Sequence, residues 1–462
     1  MLDAIFERFV KQSPVSVMVR GLMERVLNTE QLNSIFENHA KNQYTREQLF
    51  SSIVDLMSLV VCGIYPSVNA AYRAKASSLN VSRTAVYDKL NGIELDVSAA
   101  LLRETAASMT TVMQFLGDSP PKLLAPYQVR IIDGNCLAAT DHRLEALKPY
   151  AAKALPGKSL VVLDPDLKMA IDVFPCEDGH AQERSLFESV LQRVKAGELW
   201  IAVSAALAED RNMCTQGFLF GICKASADFL IREHKSLPQQ AISELEFQCD
   251  VETGSIFEQT VALTYEGNCL KVRRVVLRLK KVTRDGDWEI AILTSLPKTV
   301  ASAADVAQLY RGRWSVETLF QIVTKNFEGK IQTLGYPKAA LFSFCLALVS
   351  YNILAVVRRA LGSVHGVGKI ESSLSEFYLV DEIQGTYRGM TIACEPDNWS
   401  HLKALPLSQL ADFLLDLAGR VNLKSFLKQP RSPKKKKPPL IVDSRHRHLS
   451  TARLLDQARQ SP

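Results

Sequence analysis

The sequence has no Cys-x2-Cys pair, and its nine cysteines are scattered along 462 residues. Its eight histidines are equally dispersed, and no Cys/His grouping falls at zinc-ligand spacing. That pattern excludes a disulfide framework and a zinc module, and the thiols read as reduced and mostly buried. Residues 1–20 mix charged and apolar residues without a hydrophobic h-region, so no signal peptide is expected. Apolar runs of membrane length are nearly absent. The exception is AALFSFCLALVSYNILAVV (339–357), nineteen positions without a charge. Its two serines, a tyrosine and an asparagine favour a buried core helix over a membrane span.

Charge of one sign is missing from most of the chain. The net charge is +6, yet residues 430–462 hold nine Lys/Arg against Asp443 and Asp456, a local +7, so everything before them sums to −1. Four prolines around Lys434–Lys437 predict a disordered basic tail over 430–462, suited to polyanions. Acids are also missing from KVRRVVLRLKKVTR (271–284), where Lys271, Arg273, Arg274, Arg278, Lys280, Lys281 and Arg284 crowd one predicted strand. Such a strand could line a DNA backbone, with Arg274 and Arg278 as contacts. A solvated edge strand would show the same composition.

Length predicts more than one domain. Residues 1–120 read as helical. TREQLFSSIVDLMSLVV (45–61) has helical apolar spacing after a Thr45 N-cap. SVNAAYRAKASSLNVSRTAVYDKLNGI (67–93) reads as two short helices, the second capped by Ser82, which resembles a helix-turn-helix exposing Arg83, Thr84, Tyr87 and Lys89. LGDSPPKLLAP (116–126) is a Pro-rich linker. Beyond it, PYQVRIIDGN (126–135) is a short strand ending in Asp133. SLVVLDPDLKMAIDVFP (159–175) is a hairpin turning at Asp164-Pro165-Asp166. AQERSLFESVLQRVKAG (181–197) is an amphipathic helix, and ELWIAVSAALAEDRN (198–212) is an apolar run ending near Asp210. A helix near 215–226 and a strand at 227–234 follow. Residues 236–296 switch to period-two patterns, an all-β insertion with an Asp285-Gly286 turn.

LYRGRWSVETLFQIVTK reads as one helix of about four turns. Tyr310, Arg313, Glu317, Gln321 and Thr324 then share one face. That face carries a phenol, a guanidinium and a carboxylate where a buried helix would place aliphatics. An exposed i, i+4 Arg–Glu pair is the plainer alternative. Acids after apolar strands sit where α/β folds place their chemistry, although Asp-Gly is also an ordinary turn signal.

Asp133 in IIDGN, Asp210 in AEDRN and Tyr310-x2-Arg313-x3-Glu317 together resemble the DDE transposases of bacterial insertion sequences. More narrowly they resemble the insertion sequence 4 family, with its Tyr-x2-Arg-x3-Glu-x6-Lys signature. The resemblance covers roughly residues 125–425, and SYNILA (350–355) and HLSTARLL (448–455) share its flavour. One position departs: Thr324 stands where the family has Lys. Lys325 follows it, turned about 100° on an ideal helix, and Lys330 is a second candidate.

The resemblance implies an α/β RNase H-like catalytic core (121–429) carrying the all-β insertion (236–296), preceded by an all-α domain (1–120) that binds DNA ends. It implies metal-dependent strand cleavage and strand transfer. Asp133, Asp210 and Glu317 would hold two Mg²⁺, with Mn²⁺ able to substitute; such hard ions prefer carboxylates, water and phosphate oxygens. Tyr310, Arg313 and Lys325 would grip phosphates. Trp314 and Trp288 would offer stacking surfaces for a flipped base, since some members free their ends through a DNA hairpin. DNA and a second copy of the chain in a synaptic homodimer are the expected partners, no membrane is involved, and the location is the cytoplasm at the nucleoid. Two rivals share the observations. One is an RNase H-like nuclease or resolvase without strand transfer. The other is a non-catalytic DNA-binding relic.

Overall fold

Val129 and Ile131 of strand β1 (Gln128–Cys136) enter one hydrophobic cluster, and Ile132 beside them enters another. A strand that is apolar on both faces is buried on both faces, and it sets the plan of the molecule. In this computed structural model residues 4–43, 49–79, 81–117, 121–137, 145, 155–202, 213–283, 286–327, 334–394 and 397–429 are described. Residues Met1–Leu427 form one compact unit; of the second, Lys428–Pro462, only Lys428 and Gln429 are described. The basic tail therefore lies outside the described residues.

Seven helices come first: α1 (Ala4–Gln12), α2 (Pro14–Val26), α3 (Thr29–His39), α4 (Phe50–Val61), α5 (Val68–Leu79), α6 (Arg83–Gly92) and α7 (Leu95–Gln114). The expected N-cap Thr45 lies outside the described residues; α4 begins at Phe50, after Leu49. Ser82 does cap α6, its hydroxyl accepting from the Ala85 N–H at 3.1 Å.

Strand β1 is followed by β2 (Lys158–Asp164), β3 (Met169–Cys176), the short helix α8 (Phe187–Leu191), β4 (Glu198–Ala202), α9 (Gln216–Lys224) and β5 (Asp228–Arg232). The hairpin turns at Asp164, whose Oδ1 accepts from the N–H groups of Asp166 and Leu167. The long helix expected over 181–197 is a 3₁₀ turn (Glu183–Leu186) running into α8. The chain then passes through a turn at 192–197, in which Gly197 adopts a positive φ of 75°.

Strands β6 (Gln240–Ala241), β7 (Glu246–Val251), β8 (Gly254–Tyr265), β9 (Asn268–Leu279) and β10 (Glu289–Thr294) follow. They make no separate layer. All ten strands form one sheet in the order β3-β2-β1-β4-β5-β10-β9-β8-β6, with β7 also pairing with β8. β1, β4 and β5 are parallel neighbours, whereas β1–β2, β2–β3 and β5–β10 are antiparallel. The expected insertion thus continues the central sheet through β10.

Helices α10 (Ala303–Arg311), α11 (Trp314–Lys325), α12 (Pro337–His365), α13 (Val367–Ser373), α14 (Glu376–Ala393), α15 (Asp397–Ala404) and α16 (Leu407–Arg420) complete the unit. α12 is apolar all round because it is enclosed all round: its most apolar window is wholly buried. It packs against α2, α4, α7, α16 and β3. Asn352 within it is fully buried and holds both backbone groups of Ala170 on the edge strand β3, donating at 2.7 Å and accepting at 2.8 Å. That contact gives the SYNILA segment a structural role. It supplies the outer partner that an edge strand otherwise lacks.

Candidate active site

Asp133 does not end its strand. β1 runs on to Cys136 against β2, with Asp133 opposite Val161 and Gly134 opposite Leu160. Among the described residues the parallel ladder to β4 runs as far as Ile132–Ala202, one residue before Asp133. Asp133 thus lies toward the C-terminal ends of the parallel strands, where α/β sheets place their chemistry. Asp133 is 6% exposed, and its Oδ1 accepts from the Gly134 N–H at 2.8 Å.

Gly134 is not a turn residue here. A Cβ at this position would lie 1.8 Å from Oε1 and 2.7 Å from Cδ of Glu183. The glycine leaves room for a second buried acid, 7% exposed, at the start of the 3₁₀ turn before α8. Glu183 is absent from the residues expected from sequence. The one local signal was a glycine beside an acid in a strand-forming run, and it reads equally well as a turn.

Burial is the main force raising the Asp133 carboxyl well above the usual carboxylate range, with the charges of Glu183 and Glu317 adding to it. The Gly134 N–H and Arg313 oppose the rise. Asp133 and Glu317 thus feel each other although 184 residues separate them in sequence, because α11 packs against β1.

The helix expected across 310–325 is broken. α10 ends at Arg311, α11 begins at Trp314, and i→i−3 hydrogen bonds replace the helical ladder at Arg313, Ser315 and Val316. A Cβ on Gly312 would sit 3.0 Å from the Leu309 carbonyl, so glycine suits the tightened turn. The break leaves Tyr310 buried at the end of α10 and Arg313 at the N-terminus of α11. Glu317 follows in the first turn of α11, where the helix dipole favours an acid. Arg313 Nη1 donates to Glu317 Oε1 at 2.6 Å. The guanidinium lies 4.3 Å from the Trp314 ring centroid and 5.3 Å from that of Tyr310. Tyr310, Arg313 and Glu317 therefore meet, as the spacing suggested, although not on one helix face, and Trp314 joins them.

Trp314 and Trp288 are 57% and 66% exposed, so neither is spent on the core. Lys325 is exposed at the last turn of α11. Asp210 and Lys330 lie outside the described residues. Among the described residues no group of three His, Cys, Asp or Glu side chains is close enough to hold a metal ion. Asp133 and Glu317 nevertheless supply the hard carboxylate oxygens that a divalent cation prefers.

The basic strand β9 differs from what its composition suggests. Acids absent from the strand itself arrive from its neighbours. Arg273 is buried against Glu258, Arg274 pairs with Glu233 at 2.7 Å, and Arg278 pairs with Glu289 at 3.3 Å while lying over the Phe257 ring. In the helical region Arg83 is exposed at the first turn of α6 and Tyr87 is half-buried, its phenol raised by burial.

The fold is a mixed α/β domain with one large sheet, in which the helix carrying Glu317 packs against the strand carrying Asp133. Residues 124–353 match the family described as the transposase DDE domain. Over 152 residues, 32% of this chain, the sequence is 26% identical to "Putative transposase y4zB" of Sinorhizobium fredii, and the match spans 42% of that protein. The structure aligns with that of the piggyBac transposase synaptic complex with hairpin DNA at a TM-score of 0.37 and 12% identity, covering 86% of this chain and 87% of the other.

Proposed function

We propose that this protein is a cut-and-paste transposase of the insertion sequence 4 type. It would cleave DNA at the ends of its element and join them to target DNA. The observation that carries the reading is the packing of α11, which bears Glu317 of the Tyr-x2-Arg-x3-Glu element, against β1, which bears the buried Asp133. The order β3-β2-β1-β4-β5, antiparallel on the first two rungs and parallel on the next two, supports an RNase H-like core. In this reading residues 1–120 bind the element's ends, with Arg83 and Tyr87 on α6 at the DNA, residues 121–429 carry catalysis and residues 430–462 add nonspecific affinity. A homodimer would bring two ends together in the cytoplasm, at the nucleoid.

Asp133, Asp210 and Glu317 would hold the divalent cations, Mg²⁺ or Mn²⁺. When bound, these ions activate the attacking hydroxyl and neutralise the leaving oxygen. Arg313 neutralises Glu317 in this structure. With cations and DNA bound, the same guanidinium would turn to a phosphate beside the scissile bond, and Tyr310 beneath it would fix its direction. Lys325 would reach the backbone from the last turn of α11. Trp314 and Trp288 would present flat faces to unpaired bases. Arg274 and Arg278 keep a DNA role only by exchanging their acids for phosphates.

The test is cleavage of a labelled duplex carrying the element's flanking DNA, with Mg²⁺, with EDTA, and with Glu317→Ala. Metal-dependent nicking at the element boundary, lost in Glu317→Ala and followed by joining to a plasmid, is the expected result. Cutting without joining would favour a nuclease. Tight binding with no cut under any condition would leave a DNA-binding relic.

A further inference from the structure

A cavity of about 640 Å³ opens at the end of β1 opposite the candidate active site. Gln128, the first residue of β1, lines it, and Asp133 lies five residues further, about 17 Å along an extended strand. One wall is apolar: Ala106 and Met113 of α7, Ile171 of β3, Ala355 of α12 and Ile370 of α13. The rest is strongly basic, with seven Lys/Arg against three acids.

Four of those cations are held in place by acids. Arg130 bridges Asp164 at 2.5 Å and Glu198 at 3.0 Å, Arg103 meets Asp172 at 3.2 Å, Lys168 meets Glu371 at 2.6 Å, and Arg358 pairs with Glu376. These pairs make a fixed frame. Lys122 and Lys195 are exposed at the cavity and form no ion pair among the described residues. Half-buried Arg359 also lines the cavity, donating to the Gly117 carbonyl at 3.3 Å. The volume is that of a small-ligand site and cannot admit a duplex.

We propose that this cavity binds a nucleoside phosphate, with the phosphates at Lys122 and Lys195 and the base against the apolar wall. The shared chemistry has two sources: a free nucleotide, or the terminal nucleotide of a single DNA strand. Neither depends on Asp133 or Glu317, so loss of the transposase reading would leave this site standing.

Calorimetric titration of the full chain in EDTA, with ATP and separately with a short 5′-phosphorylated oligothymidine, tests it. The variants are Lys122→Glu/Lys195→Glu, which removes the exposed charge, and Thr110→Trp, which fills the cavity from α7 without touching a cation. Binding should fall about tenfold or more in both, with unchanged melting midpoints. ATP binding identifies a free nucleotide. Oligothymidine binding without ATP binding identifies a strand end. No binding of either probe overturns the proposal. Binding lost only in the lysine variant and untouched by Thr110→Trp also overturns it, because the ligand would then sit on surface charge outside the cavity.

Discussion

Replacing Asp133 by Asn should make the metal-free protein more stable and the enzyme inactive. The side chain keeps its shape, and an amide oxygen can still accept from the Gly134 N–H at 2.8 Å. What disappears is a charge buried beside Glu183 and Glu317. A carboxyl raised above its unfolded value binds a proton in the folded state that the unfolded chain has released. Its burden is therefore absent below the usual carboxylate range, grows as pH rises, and is complete above the folded value. Each tenfold rise in proton affinity on folding corresponds to about 1.4 kcal/mol. Relieving one buried, uncompensated charge is worth on the order of 1–3 kcal/mol, so Asp133→Asn should be more stable at neutral pH by about 1–3 °C in melting midpoint for a unit of this size, and no more stable near pH 4. The assay is thermal or urea unfolding in EDTA across that pH span. A second arm adds Mg²⁺: at ten times its dissociation constant it should stabilise the wild type by about 1.4 kcal/mol and leave Asp133→Asn unmoved. If Asp133→Asn is less stable than the wild type at pH 7, or its gain is the same at every pH, Asp133 is a structural hydrogen-bonding residue and its place at a metal centre is refuted.

Gly134→Ala should cost about 1–3 kcal/mol by forcing Glu183 out of place. A Gly134→Ala/Glu183→Ala double variant should recover part of that in thermal melts, and no recovery would remove the contact as the cause. Asn352→Leu strips two partners from buried Ala170 and should cost about 2–5 kcal/mol. Hydrogen exchange should quicken first in β3. Glu258 is held below the usual carboxylate range by Arg273 and Lys298 despite its burial. Its stabilisation is present above that range and lost as pH falls through the folded value, so Glu258→Gln should cost about 3–5 kcal/mol at neutral pH and progressively less in acid denaturation curves. On β9 and just beyond it, Lys271→Ala/Lys281→Ala should weaken DNA binding and flatten its salt dependence by about two units of slope. Arg274→Ala, already paired with Glu233, should lower stability and leave that slope alone. Filter binding at several salt concentrations separates the two.

How far the sequence could be read depends on the range of the forces involved. The β2–β3 hairpin, the Ser82 cap and the period-two strands β8 and β9 are fixed by neighbours a few residues away, so pattern alone finds them. The burial of α12 was legible because a long apolar run with polar intruders has few other fates. The joining of β10 to β5 was not legible. It is a pairing across some sixty residues, and only strand register shows that the second half of the sheet continues the first. The same limit explains Glu183, whose meaning lies in the space above Gly134, about fifty residues earlier. It also explains the arginines of β9, whose acids stand on adjacent strands and in the loop after β5. The Tyr-Arg-Glu element shows both sides of this limit. Its spacing grouped Tyr310, Arg313 and Glu317, which do meet, but the cause was not a common helix face. A turn tightened at Gly312 buries Tyr310 under the Arg313 guanidinium and turns that guanidinium toward Glu317. The guanidinium lies close to a buried phenol and an exposed indole and is hydrogen-bonded to Glu317, so a cation that claimed this acid would leave the arginine its ring contacts. In the proposed reading the tightened turn would hold the arginine by packing while its charge passed from Glu317 to a phosphate.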